Sequence, residues 1–275
     1  MKEFGWEVAL HWTGVGLYIT ATVLFANAVI FGHPKRQRWA LVALAAGLVP
    51  HGVAIILRWA ASGHGPYMLK YEVLSSNTWI ALALLLAFLA RRPAWGALAL
   101  VVLPVSIVMI AFGLFSNPEI RDLPPTLRSV WLVFHISFAK LSAAAFLLSV
   151  ASGAILLLKR RGRHGAWLDK APGEAALDAY TVRFVGFGFM FWTITVAAGA
   201  IWANESWGRY WGWDLIETWS LITWLVYGTF LHVRLFFKPG PAATAWWSIG
   251  CMALFLLTIL ILPFLMPSLH SAYFQ

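Results

Sequence analysis

Charge is what this sequence holds least of. Only 11% of its 275 residues are Asp, Glu, Lys or Arg, against 61% hydrophobic, and the mean hydropathy is +0.75. That balance excludes a soluble globular domain. Cysteine is almost absent: Cys251 stands alone, so the chain can build no disulfide framework, CxxC redox pair or cysteine-based zinc site. Acidic residues number 11 against 20 Lys and Arg, and the pI is near 10.0. The cations are spread between apolar segments and gather into no patch on a folded domain, which excludes nucleic acid as the partner. Repeats, low-complexity stretches and interdomain linkers are also missing, so residues 1–275 read as a single transmembrane helical domain.

What is abundant is apolar length. Eight runs, roughly 8–31, 39–60, 73–90, 95–115, 127–158, 180–202, 215–237 and 245–268, each approach or exceed the ~20 residues of a bilayer-spanning helix. The expected fold is therefore all-α and polytopic, with about eight transmembrane helices. The first run lacks a basic leader and a small-residue cleavage site, so it reads as a helix and not a signal peptide. The fifth is over-long and is expected to tilt or to project beyond the bilayer. Lys35, Arg36, Arg38, Arg91, Arg92, Lys159, Arg160, Arg161, Arg163, Lys170, Arg183, Arg234 and Lys238 fall on one side of this topology, and the sparser Lys2, Arg58, Lys70, Arg121, Arg128 and Arg209 on the other. The positive-inside rule puts the first set in the cytoplasm and both termini on the outer side. The 116–126 loop, a tryptophan-rich loop and the C-terminal tail then share the outer face.

That tryptophan-rich stretch organises the chain. Trp207, Gly208, Trp211, Trp213 and Asp214 form W-G-x-x-W-x-W-D, followed by an apolar helix with Trp219 and Trp224 that ends at His232; Trp202 precedes it. Flat indole faces beside imidazoles suit a large flat ligand that also offers a metal, and haem is the obvious one. Asp214 and Glu217, three apart at a helix start, read as caps that order the loop and not as an acid/base pair.

The eight histidines are not equivalent. His33 and His164 lie among loop cations and read as solvated; His11 reads as interfacial; His64, in SGHGPY, is harder to dismiss. His232 shares a helical face with Glu217, Leu221, Trp224 and Gly228 and lies ~22 Å along the helix from Glu217. A buried ionisable group there is a functional candidate by default, and Gly228 leaves space for a porphyrin plane. His135 follows Arg128 and Trp131 on one face of the fifth span, and His270 follows the eighth. Two neutral imidazoles can ligate haem iron from opposite sides, and Arg128 or Arg209 can pair a propionate. His51, mid-span, is either a further ligand paired with His232 or a polar contact between helices. Lys140, inside a span, snorkels, lines a cavity or meets a propionate.

WANESWGRYWGWDLIETWSLITWLVYGTFLHVR closely resembles the tryptophan-rich motif of the CcsA/ResC cytochrome c assembly proteins, within the haem-handling family that includes CcmC and CcmF. LRSVWLVFHIS, GAIWAN, LHSAYF and SGHGPYMLKYE are similar to further family segments, so the resemblance runs from about His51 to His270. It implies that His135 and His270 are axial ligands to haem b at an outer site, and that Trp207, Trp211, Trp213 and Asp214, in a motif loop at about 203–214, hold that haem. It implies that His232 binds haem in transit, with a partner histidine from a ResB/CcsB-type membrane subunit. The implied function is delivery of haem for thioether attachment to an apocytochrome c bearing CxxCH, as part of a holocytochrome c synthase. The implied location is the bacterial cytoplasmic membrane, or the thylakoid membrane for a plastid protein, with the site on the outer face. The sequence departs from the family at Leu215 and Ile216, where Pro-Lys is usual, at the missing Ser-Asn before Tyr71 and Glu72, and at Lys140.

Three rival readings stand beside this one. A CcmC-like haem transporter or chaperone would make no final bonds, but such chains have fewer spans. A b-type electron-transfer subunit would need permanent histidine pairs at two depths, and only His51 is available to pair with His232 within the chain. A scaffold without haem leaves the tryptophans beside three placed histidines unexplained.

Overall fold

The structure, a computed structural model, describes residues 2–162 and 167–262, with side chains from Gly5 onward. It is all-helical, as the apolar runs predict. Among the described residues eight α-helices follow one another: α1 Lys2–Val29, α2 Pro34–Ser62, α3 Lys70–Arg91, α4 Ala99–Leu114, α5 Val130–Arg160, α6 Glu174–Trp207, α7 Leu215–Phe236 and α8 Pro241–Leu256. A 3₁₀ segment, Pro93–Leu98, leads into α4, and a π-helical segment, Leu257–Ile261, follows α8. Proline opens α2 and α8, where its missing N–H costs nothing. Seven of the described helices are long and apolar enough to cross a membrane. The exception is α7, whose Glu217, Trp219, Trp224, His232 and Arg234 lower its hydropathy.

The chain forms two compact units, Met1–Arg121 with Ala154–Leu177, and Asp122–Gly153 with Asp178–Gln275. In the first unit, Leu44, Leu82, Leu85, Leu89 and Leu103 form a fully buried apolar core. Within it lies a polar chain, in which the Tyr18 hydroxyl meets His51 Nδ1 at 2.9 Å, and Ser75 Oγ joins His51 Nε2 and His11 Nε2 at 2.9 Å each. With little water to hydrogen-bond in the bilayer, such groups must satisfy one another.

The second unit is built on aromatics. Phe146 stacks on Tyr227 with centroids 3.8 Å apart, and Phe255 meets both Phe146 and Trp192 edge-on. Hydroxyl pairs join its helices, Ser149 to Ser248 and Thr223 to Thr258, each at 2.8 Å. Small residues bring α5 and α8 together at Gly153, where an added Cβ would lie 3.3 Å from Ala245. Cys251 is buried in this core and free.

Candidate functional site: the tryptophan loop and His135

The loop is shorter than the sequence suggests. α6 continues to Trp207, so the motif's first tryptophan and Trp202 belong to its last turns, and only residues 208–214 are loop. Those turns are held from outside: Trp202 Nε1 and Ser206 Oγ both donate to the Thr126 carbonyl, at 2.8 and 2.9 Å. Gly208, at φ 73°, ends the helix with its N–H on the Asn204 carbonyl, in the left-handed conformation that only glycine adopts without strain.

The other end of the loop is a capping box. Asp214 accepts from the Ile216 N–H at 3.3 Å. Glu217 folds back so that Oε2 accepts from the N–H groups of Gly212 at 2.7 Å and Asp214 at 3.2 Å. Both carboxylates thus order the loop, as their spacing predicts. Glu217 is only 8% exposed, and its other oxygen, Oε1, is buried without a hydrogen bond. Trp213 is held at φ 56°, rare for a large side chain, and its indole is 70% exposed. Trp211 meets Trp213 edge-on at 5.9 Å, and Trp202 meets Trp207 at 4.9 Å.

His135 stands on α5, which begins at Val130 with the Ser129 hydroxyl accepting from the Trp131 N–H. Its Nδ1 donates to the Thr195 carbonyl on α6 at 2.8 Å. A carbonyl can only accept, so Nδ1 carries a proton, as it does where backbone acceptors orient ligating histidines. The ring lies at 27° to the Trp202 indole, with centroids 6.1 Å apart. It also rests on Gly199, where an added Cβ would fall 2.6 Å from Nδ1. Glycine is required there for close approach.

A crevice of about 40 Å³ opens beside this ring, lined by His135, Gly199, Tyr210, Trp211, Glu217 and their neighbours. It is far below the ~300–1,000 Å³ of a typical small-molecule pocket, so it cannot take a whole macrocycle. What fits a haem here is the donor set: an imidazole oriented by a backbone carbonyl, with Tyr210 and Trp211 in the same wall. Among the described residues no group of three or more His, Cys, Asp or Glu is gathered as for a bare metal ion.

The remaining sequence candidates fall in different places. His270 lies outside the described residues, as does His164. Arg209 is exposed, its guanidinium packed over Gly212. Arg128 is exposed but precedes α5, because Ser129 caps the helix; the helical face expected to join Arg128 to Trp131 and His135 begins only at Trp131. His232 is exposed on α7 with its ring 4.5 Å from Phe236. The space expected beside Gly228 is bordered by the Phe189 ring, 3.6 Å from where a Cβ would stand.

His51 belongs to the first unit, is fully buried, and has both ring nitrogens hydrogen-bonded. His11, also buried, bonds Ser75, the Glu7 carbonyl and Tyr71. His64 is held against the Gly65 carbonyl at 2.8 Å, in the loop where burial and the Glu72 charge push the Tyr67 phenol up. Lys140 is buried on α5. Gly199 and the Thr195 carbonyl, which hold the His135 ring, are positions that the sequence does not disclose: a glycine and a threonine in an apolar helix carry no signal.

A family profile described as "Cytochrome C assembly protein" matches residues 67–270, which include the loop, its caps and His135. This chain belongs to the cytochrome c assembly protein family. The cytochrome c biogenesis protein CcsA of Synechococcus sp. (strain CC9311) is 33% identical, covering 81% of this chain and 85% of that protein. The CcsA of Parasynechococcus marenigrum (strain WH8102) is 36% identical over 81% and 83% of the two chains. The CcsA of Chlamydomonas reinhardtii is also 36% identical, over 66% of this chain and only 53% of that protein. Among solved structures, the cytochrome c heme lyase CcmF matches 92% of this chain and 46% of its own, with TM-score 0.68 and 17% identity, a likeness of fold alone. Like its CcsA relatives, this family member is an integral membrane protein of cytochrome c biogenesis.

Proposed function

We propose that the chain binds haem b at the tryptophan loop and presents it for covalent attachment to an apocytochrome c bearing CxxCH, as one subunit of a cytochrome c synthase with a ResB/CcsB-type membrane partner. In this reading His135 and His270 ligate the iron, Trp207, Trp211 and Trp213 support the macrocycle, and Arg128 and Arg209 offer charge to the propionates. Asp214 acts through the loop, as its cap. His232, exposed on α7, receives haem in transit with its second ligand from the partner subunit. The site faces the outer side of a bacterial cytoplasmic or thylakoid membrane, and both termini lie on that side.

The observation that carries the proposal is His135. Its Nδ1–H is held by a backbone carbonyl and its ring position by Gly199, an orientation that suits an axial ligand. Haem supplies the electrophilic vinyl groups and the apocytochrome its two thiols; the protein contributes position and electrostatics. Capping at both ends of the loop makes that position rigid. His51 has no nitrogen to spare, which favours this reading over a permanent b-type pair of His51 with His232.

The test is the absorption spectrum and haem content of the protein purified with its partner, wild type beside His135→Ala, His270→Ala and His232→Ala. The expected outcome is low-spin bis-histidine haem lost in the first two variants and a separate population lost in the third. Equal haem in all four proteins, or none in any, contradicts the ligand assignment.

A further inference from the structure

The first compact unit contains a second cavity, of about 370 Å³, with no part in the proposed reaction. Its walls come from the end of α1 at Ala28, the turn at Gly32, the start of α2 at Gln37, the 3₁₀ segment at Ala97, and Trp167 and Lys170 of the connector before α6. The volume falls within the ~300–1,000 Å³ of small-molecule sites. Most of the wall is small and apolar; besides the Trp167 indole N–H, two side chains carry polar heads. One of these is already engaged, since Gln37 Nε2 donates to the Pro93 carbonyl. The other is the Lys170 ammonium.

Lys170 is held in place by its surroundings. Lys159 Nζ donates to the carbonyls of Leu168 and Ala171, at 2.7 and 3.0 Å, and so fixes the turn that carries Lys170. A Cβ on Gly32 would lie 3.3 Å from Lys170 Nζ, which puts the ammonium at the turn between α1 and α2. The plain alternative is a lysine that caps the last carbonyls of α1. Among the described residues, however, Lys170 makes neither a hydrogen bond to those carbonyls nor an ion pair; Glu174, four residues on, is paired with Arg160 at 3.4 Å. Asp169, its neighbour in sequence, is not part of the wall.

The flanks of the cavity indicate where its occupant comes from. Phe31, 68% exposed, and Trp39, 66% exposed, stand on either side of Gly32 and Gln37 in the chain. Lys35, Arg36, Arg38, Arg91 and Arg92 belong to the same turns. Exposed aromatics mixed with Lys and Arg mark the headgroup level of a bilayer, and basic pockets between transmembrane helices at that level take anionic headgroups. We infer that this cavity binds an anionic phospholipid, its phosphate set against Lys170 and its glycerol and first acyl carbons against the apolar wall.

Native mass spectrometry of the purified protein in detergent tests this, with dioleoylphosphatidylglycerol, dioleoylphosphatidylcholine or glycerol 3-phosphate added separately. Phosphatidylglycerol is expected to bind, phosphatidylcholine at least about five-fold more weakly, and glycerol 3-phosphate not measurably, because it lacks the acyl chains. Lys170→Gln should weaken phosphatidylglycerol binding about five-fold, Lys170→Arg should restore it, and Arg161→Gln, an exposed cation on the same connector, should leave it unchanged. Equal binding of the two phospholipids, or an unaffected Lys170→Gln, overturns the inference. An Arg161→Gln loss equal to that of Lys170→Gln also overturns it, in favour of diffuse surface charge. So does glycerol 3-phosphate binding as tightly as the lipid, in favour of a soluble anion.

Discussion

Glu72 and Glu217 occupy the same local position in the two units and are used differently. Each is the third residue of a helix, α3 and α7, and each turns back so that Oε2 accepts from two backbone N–H groups before the helix, Met68 and Leu69 in one case and Gly212 and Asp214 in the other. Around Glu72 the other oxygen is taken by Arg58 Nε at 3.0 Å. Around Glu217 the other oxygen is buried and has no hydrogen bond. The histidines differ too: both nitrogens of His51 are bonded to side-chain hydroxyls, whereas His135 Nδ1 is bonded to a backbone carbonyl. Each unit also buries other polar atoms without a hydrogen bond, Glu7 Oε1 in the first and Tyr227 OH in the second among them, so the contrast belongs to these two glutamates and not to the units as wholes.

The largest expected effect is at Glu72. Glu72→Gln removes the carboxylate 3.0 Å from the buried Arg58 guanidinium and leaves that of Glu7 at 3.9 Å. It should cost ~3–5 kcal/mol, read as a large fall in the thermal unfolding midpoint in detergent, with haem binding lost only through unfolding. Next comes Gly199→Leu, whose side chain must displace the His135 ring. Overpacking of that kind costs ~1–3 kcal/mol, but haem content should fall at least ten-fold, out of proportion to the stability change. Asp214→Ala removes an N-cap and should cost ~1 kcal/mol, with a broadened haem spectrum as the loop loosens. Glu217→Gln is the smallest: the amide oxygen keeps the two N–H bonds, and stability should change by less than ~1 kcal/mol. A Glu217→Gln loss as large as that of Glu72→Gln would erase the contrast.

How much of this is written in the sequence differs by feature. Membrane-spanning helices are legible because ~20 apolar residues have no other stable use, and the D-x-x-E spacing of Asp214 and Glu217 announces its cap. The end of α6 is not legible. The polar Asn204, Glu205 and Ser206 read as loop, yet the Thr126 carbonyl, some 80 residues away in sequence, anchors them as helix. His51 has the same difficulty. Its partners Tyr18 and Ser75 sit on two other helices, and only packing brings them to it. Arg128 shows the reverse error: its steps of three and four to Trp131 and His135 describe a helix that Ser129 prevents from starting so early.

The most direct measurement replaces each of the two histidines by glycine and adds imidazole back. In the protein purified with its partner subunit, His135→Gly should lose the low-spin haem spectrum of the outer site and regain it when imidazole is supplied. His51→Gly should unfold at lower temperature but keep its haem spectrum, with no response to imidazole. If His51→Gly loses haem that imidazole restores while His135→Gly keeps its own, the ligand lies in the first unit, which contradicts the assignment of His135.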